Sequence, residues 1–473
     1  VFNFIKNIFE RIKKAMFPVN DIKKALNIDI AISSEMANAI EEWKDIFENK
    51  AYWLDEEKGV FSLEIASAVC KEIADTVTSE VTSKITDNDY LDEQYQYLID
   101  DMNDWLQLGL AKGGIAIKPY ISNDEIIIDY VQADSFYPVE YNNRKLITAA
   151  VFVEQIVKGD YVYSRLEYQK YFADKKKHIF INQAFRKRND NINDFSRFKD
   201  LGNEISLDEV EEWQGMEPYF EANNIKRPLF AYFKVPGINN IDSSSPLGIP
   251  SYKKAIPLIK EADTQYSRYI WEFEGGELAV DAAEDLFKVD NRTKEPKLPQ
   301  GKKRLFRQYD AEVKEDNNFF KVFAPTLRDS NYAEGFNNIL KRIEFNCGLA
   351  YGDLSDPQSV DKTATEIKSS KQRKYTTVTG IQDNLDKLLK HVVYIMNVYA
   401  IGLHKSNSND VSLETDWGDS ILVDSEKQRN IDLQEVNAGL MPEWKYKVKW
   451  QGMTEDEAKA EVKETKKIGI EFE

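Results

Sequence analysis

Two pairs of aspartates stand close enough in sequence to hold a divalent cation: Asp129 with Asp134, and Asp353 with Asp356. Each pair falls near turns, where carboxylates are ordinarily solvated, and nothing else converges on them. The three histidines, His178, His391 and His404, are widely separated and form no metal-ligand pair, so each reads as structural. Cys70 and Cys347 have no metal-ligand spacing and no histidine beside them in sequence. They read as free core thiols in a reducing compartment. The stretch Gly109 to Gly114 leads into a strand and lacks the Lys-Ser or Lys-Thr ending of a phosphate-binding loop. It reads as a turn, and NTP-driven work would fall to a partner. No catalytic residue, metal or cofactor is expected.

The elements that position these residues follow from periodicity. Phe2, Ile5, Ile8, Phe9 and Ile12 make an apolar stripe ahead of Pro18, read as a docking helix. Helices are expected from Ser34 to Asn49, Ser62 to Ile85 and Tyr90 to Leu110, with Ile65, Val69, Ile73, Val77 and Val81 as a core face. From Gly113 to Phe172 the period becomes two, which predicts a β meander, and strand-rich sequence continues to Val235 with a loop at Asn189 to Gly215. After a linker at Ile238 to Pro250, helices are expected at Ser251 to Glu274 and Asp329 to Cys347. They flank a short-strand region rich in bases, including Lys302, Lys303, Arg304 and Arg307.

A hinge-like stretch, Gly348 to Lys362, precedes the longest element. Thr363 and Glu366 form a capping-box pattern, and helical sequence runs to Ile401, roughly 40 residues or ~60 Å. Val378, Ile381, Leu385, Leu388, Val392, Ile395 and Tyr399 form a continuous apolar seam on it. Beyond lie a strand from Val411 to Trp417, a helix from Asp424 to Ala438, and a charged helix from Thr454 to about Lys467.

At 473 residues the chain predicts more than one packed region. Its 42% hydrophobic residues suffice for a core, and no apolar run reaches the length of a membrane span. Neither membrane residence nor a secretory signal is expected. Net charge is 63 minus 81, or −18, which is opposite to that of a protein gripping phosphates; it reads first as an ordinary acidic surface and is also compatible with a wall past which DNA slides.

In order, the runs Leu63-Glu-Ile-Ala-Ser-Ala-Val-Cys-Lys-Glu-Ile-Ala74, Gly113-Gly-Ile-Ala-Ile-Lys-Pro-Tyr120 and Ile128-Asp-Tyr-Val-Gln-Ala-Asp-Ser-Phe-Tyr-Pro138 resemble portal proteins of siphophages and of prophages of Gram-positive bacteria. So do Thr363-Ala-Thr-Glu-Ile-Lys-Ser-Ser370 and the segment Asp424 to Thr454 with its Ala438-Gly-Leu-Met-Pro442 turn. The likeness covers most of the chain. It implies an α+β portal fold: a wing with N-terminal helices at 1–240, a linker and first stem helix at 241–274, and a β-rich clip at 275–326. A second stem helix at 327–347, a tunnel loop at 348–362 and a long radial helix at 363–403 would follow. Residues 404–453 would return to the wing, and 454–473 would begin a short helical crown.

The resemblance further implies a homo-oligomeric ring, usually dodecameric, at a capsid vertex, assembled from protein made in the bacterial host cytoplasm. Its expected partners are terminase, major capsid or scaffold protein, a head-completion protein and the double-stranded DNA that passes through. Gly352, Asp353, Asp356, Lys362 and Lys368 would lie near DNA, with Lys371, Arg373 and Lys374 also available to phosphates; intersubunit salt bridges are the competing use of these bases. Lys302, Lys303, Arg304 and Arg307 would form the clip's partner surface, and Leu385, Leu388 and Val392 would serve assembly. The tunnel loop is expected to be mobile, since no apolar pattern pins it. The competing readings are a metal-dependent nucleic-acid enzyme using Asp129 and Asp134, and a capsid or tail component that forms no channel.

Overall fold

The computed structural model describes residues 19–188, 200–283, 288–289, 296–297, 306–309, 320–356, 364–408, 410–418 and 425–470. The stripe at residues 2–12 lies outside them. Helix α1 (Ser34–Phe47) starts at Ser33, whose hydroxyl accepts from the Met36 amide at 3.3 Å. Helix α2 (Ile65–Thr78) buries Ile65, Val69, Ile73 and Val77, the face that the four-residue spacing predicts. It stops short of the expected Ile85, because Thr82–Ile85 is strand β1. The expected helix from Tyr90 to Leu110 is two, α3 (Asp89–Asp100) and α4 (Met102–Lys112), with Asp101 between them.

The meander follows as β2 (Gly114–Ser122), β3 (Glu125–Gln132), β4 (Phe136–Tyr141), β5 (Ile147–Lys158), β6 (Tyr161–Phe172) and β7 (Lys177–Arg188). Short strands β8 (Asn203–Ile205), β9 (Tyr219–Asn223) and β10 (Ala231–Lys234) come next. The expected loop at 189–215 holds β8 and two helical turns that bury Trp213 completely. Among the described residues, β4-β5-β6-β7-β8 form one antiparallel sheet with β9 also on β7, and β10-β2-β3 form a second.

Helix α5 (Ile256–Gly275) leads to an insert with strands β11 (Ala279–Ala283), β12 (Lys288–Val289), β13 (Pro296–Lys297), β14 (Phe306–Tyr309) and β15 (Phe320–Phe323). Strand β11 is central, parallel to β14 and antiparallel to β15. Helix α6 (Asp329–Cys347) returns antiparallel in sense to the start of α5, and α7 (Ala364–Gly402) is the long helix. Its 39 residues span ~58 Å at 1.5 Å each. It runs unbroken through Gly380, which lies beside Pro236. Strand β16 (Leu413–Asp416) then pairs antiparallel with β1, Thr82 opposite Asp416. Helices α8 (Ser425–Asn437), α9 (Glu443–Gln451) and α10 (Glu455–Ile470) end the chain; α9 has no counterpart in the sequence reading.

One large core joins α1 to α4, the β10-β2-β3 sheet, the start of α5, the end of α6 and the seam of α7. A second cluster, with Ile22, Val151, Leu166 and Phe185, lies under the meander. Leu385, Leu388 and Val392, expected to serve assembly, are 0%, 3% and 0% exposed within the single chain. Their seam is already covered by the same chain's first lobe, α1 to α4 with the β10-β2-β3 sheet, so the contacts they make are intrachain. Asn384 adds a polar tie: its amide donates to the Lys234 carbonyl at 3.0 Å and closes that edge of the small sheet.

Candidate functional site

The residues with chemical potential are mostly spent on structure. Asp134 is buried between Lys112 at 3.0 Å and Lys44 at 3.2 Å, and Asp129 lies 3.5 Å from Lys118. Among the described residues no group of three or more His, Cys, Asp and Glu side chains is placed to hold a metal ion. Cys70 and Cys347 are buried, and burial pushes the Cys70 thiol up to about 12, which leaves little thiolate at neutral pH. The expected core-thiol role fits this placement.

His178 sits in a buried polar chain. Its Nδ1 accepts from the Leu229 amide at 3.4 Å, so Nε2–H donates to Gln169 Oε1 at 2.9 Å, and the Gln169 amide donates to Glu167 at 2.5 Å. Glu167 also meets Lys118 at 2.7 Å and Arg165 at 2.9 Å. Burial alone would raise its carboxyl, but Lys118 and Arg165 more than offset this and hold it at about 2. Burial lowers His178 to about 3, and His391, whose Nε2 donates to the Pro228 carbonyl at 2.9 Å, to about 4.

A testable pH dependence follows. Both imidazoles are neutral when folded and take up protons when unfolded below about 6.5, so the unfolded chain binds more protons there and stability rises with pH. Glu167 acts in the same direction: its contribution is present above about 4.5 and is lost as pH falls toward 2. Urea unfolding should show stability climbing from pH 4 to about 6.5 and levelling above it, by roughly a few kcal/mol in total. Replacing His178 and His391 with Gln should flatten the climb; an unchanged profile would assign it to other groups.

Polar contacts also fix the start of the segment after α6. Gly348 ends that helix at φ +77°, and a Cβ there would lie 2.2 Å from Thr377 Oγ1, so only glycine permits this approach to α7. Glu344, fully buried on the last turn of α6, reaches forward into the segment. One carboxylate oxygen accepts from the amides of Gly352, Leu354 and Ser355 at 3.1, 2.7 and 2.7 Å; the other accepts from the Ser355 hydroxyl at 3.0 Å. Asp353 accepts from the Ala350 amide at 2.8 Å, and the Asp356 amide donates to Asn337 at 2.8 Å.

Helix α7 holds the same segment from its other side. Arg373 donates twice to the Leu349 carbonyl, at 3.1 and 2.9 Å, with its guanidinium 4.8 Å from the ring centres of Phe345 and Tyr351. Lys374 pairs with Glu72 at 2.7 Å and Asp353 at 3.2 Å. Burial would lower its amine, and the two carboxylates reverse this and raise it.

These contacts correct the expectation of a loose loop as far as Asp356. The tethers are backbone amides held by a carboxylate, which leave no apolar pattern to read. They also change the roles of Arg373 and Lys374, which are engaged within the chain. Gly352 and Asp353 belong to the tethered part; Lys362 lies outside the described residues, and Lys368 is placed on α7.

The helix pair closes the base of the insert. Glu272 near the end of α5 accepts from the Arg328 backbone amide at 3.2 Å and from its guanidinium at 3.0 and 2.6 Å. Arg307 lies on β14 opposite Asp281, while Lys302, Lys303 and Arg304 lie outside the described residues. Beyond their bases the two helices are poorly covered. No residue of α6 from Asp329 to Arg342 is buried, and Trp271 on α5 is 65% exposed. A groove of about 620 Å³ runs between the helices, lined by Tyr266, Tyr269, Phe336, Leu340 and Asp356 among others.

The family model described as phage portal protein, SPP1 Gp6-like, matches residues 62–471. The chain belongs to this portal family. It is therefore a portal subunit, a structural component of the virion at the capsid vertex, with the expected α+β portal fold. Two solved structures resemble this portal chain at low identity. A chain from the virion of a native gene transfer agent particle is 9% identical, with a TM-score of 0.38 over 80% of this chain and 87% of that one. A chain from the neck of such a particle, computed with C12 symmetry, is 10% identical, with a TM-score of 0.37 over 80% and 89%. No curated protein matches in sequence.

Sequence reasoning missed Glu344. The available signal was an acid between Ile343 and Cys347, the buried positions of the last turn, just ahead of a glycine.

Proposed function

We propose that this portal subunit closes with identical copies into a ring, twelve-fold as the family resemblance suggests, whose axial opening carries double-stranded DNA into and out of the capsid. The observation that carries this reading is the uncovered helix pair. Tyr266, Trp271 and Phe336 stand on helices that the single chain covers only at their bases, and apolar surface of that extent calls for neighbours. A head-to-tail contact between identical subunits supplies them and closes on itself. In this assignment residues 1–240 with the return at 404–453 are the wing, α5 and α6 the stem, the β insert the clip, the segment after α6 the tunnel loop, and α10 the start of the crown. The protein works without catalysis or cofactor, is made in the host cytoplasm, and docks terminase, capsid or scaffold protein and a head-completion protein. Membrane contact plays no part.

Negative-stain images of purified protein should show rings with a central opening; a monodisperse monomer across concentration would refute the reading. For the clip, charge reversal at Lys302, Lys303 and Arg304 should leave rings intact and weaken terminase-driven packaging. Unchanged packaging would count against the clip as the docking surface.

A further inference from the structure

Strand β10 carries a lysine that has no counter-ion among the described residues. Lys234 is half-buried, and its amine has no hydrogen bond or ion pair among the described residues. Its stem passes Gly248, where a Cβ would come within 3.2 Å of the lysine Cγ. It opens into a pocket of about 260 Å³ between β10, the turn before β5 and helix α7. Two further lysines stand at the rim. Lys145 donates to the Ser243 carbonyl at 2.5 Å and the Ser245 carbonyl at 3.3 Å, and Lys387 donates to Asn384 Oδ1 at 3.2 Å. Among the described residues no aspartate or glutamate lines this pocket. Burial, and then the nearby charge of Lys145, lower the Lys234 amine.

In a chain with eighteen more acids than bases, three lysines around one pocket, with no carboxylate among its described lining residues, suit an anion. A half-buried ammonium without a partner is disfavoured by desolvation and by its neighbours, and an arriving anion relieves both. Size and lining narrow the ligand. The pocket admits one side chain and no duplex, and the exposed Leu146 on its wall suits the methylenes of an acidic residue more than a free oxyanion.

We propose that this pocket receives the carboxylate of an aspartate or glutamate from a second copy of the chain, so that Lys234 takes part in contacts between neighbouring subunits. The proposal rests on the ring reading above. It requires no contribution from the apolar seam of α7, whose residues are spent inside the chain.

The test uses full-length protein assembled from isotope-labelled and unlabelled subunits and treated with a zero-length carbodiimide. Mass spectrometry should find amide links from Lys234, Lys145 or Lys387 to an acid of the opposite isotope. Lys234 should also acylate about tenfold more slowly in the assembly than in separated subunits, since an ion pair that raises an amine by about one unit cuts its reactive free base about tenfold. Lys234→Met, which keeps the stem, should retain the helical signal and lose the Lys234 links.

Links confined to one isotope, or equal acylation in both states, would overturn the proposal while rings seen by microscopy left the ring reading intact. Protein that never assembles would sink both. Protection of Lys234 in separated subunits by millimolar inorganic phosphate, equal to that in the assembly, would make this a site for a free oxyanion and overturn the second-copy assignment.

Discussion

Replacing Leu385 with Asp should leave no stably folded subunit. Leu385 is fully buried where α7 crosses the first lobe, inside the cluster that joins the small sheet to helices α2 to α4. An aspartate there would be an unpaired charge in a dry, packed site, at a cost of several kcal/mol. Whole-domain stabilities are about 5–15 kcal/mol, so one such charge removes much or all of the margin. Circular dichroism should show lost helicity and urea should give no cooperative transition. Leu385→Ala and Leu388→Ala, costing about 2–5 kcal/mol each through lost burial and a cavity, should fold with lowered midpoints and still assemble. A folded, fully helical Leu385→Asp monomer would instead return the seam to the subunit interface, as the resemblance implies.

The contrast between the seam and the helix pair explains what the sequence could show. Periodicity reports that a face is buried, so Val378 to Ile395 and the α2 face from Ile65 to Val77 emerge at the right residues, while Val81 falls beyond the helix. It does not report what buries them. The portal resemblance implies an assembly role for Leu385, Leu388 and Val392, whereas the first lobe covers Val378, Leu388 and Ile395 alike.

Strand β1 shows the same limit from another side. Thr82–Ile85 is four residues long and continues a helix-compatible run, and only its partner Leu413–Asp416, some 330 residues later, makes it a strand. Polar tethers were hidden for a further reason. Glu344 serves Gly352, Leu354 and Ser355 through backbone amides, and backbone amides carry no sequence signature. The same holds for the Arg373 contacts to the Leu349 carbonyl, so a base that looks free for phosphates in the sequence is already engaged. Lys234 escaped because its distinction is what is missing around it, and a lysine in an alternating strand is ordinary until its neighbours are known.

Replacing Glu344 with Leu should loosen the segment after α6 while leaving the rest of the subunit folded. The carboxylate satisfies three amides and a hydroxyl in a place closed to solvent, and an apolar side chain of similar size offers them nothing. Each buried donor left unsatisfied costs about 1–3 kcal/mol, so the local penalty reaches several kcal/mol unless the segment opens to water. Opening is the easier course, because Arg373, Asp353 and Asn337 would hold the segment only at its flanks. Hydrogen exchange should therefore rise by orders of magnitude at Gly352, Leu354 and Ser355, with α2 and the meander protected as before. Glu344→Gln keeps an oxygen for the amides and an NH₂ group for the Ser355 hydroxyl, and should retain most of the protection. If this segment lines the channel, the Leu variant should form rings of normal size yet package less DNA, and the Gln variant should package nearly as the parent does. Unaltered exchange in the Leu variant would show that α7, through Arg373 and Lys374, holds the segment by itself, and Glu344 would then be a buried passenger on α6.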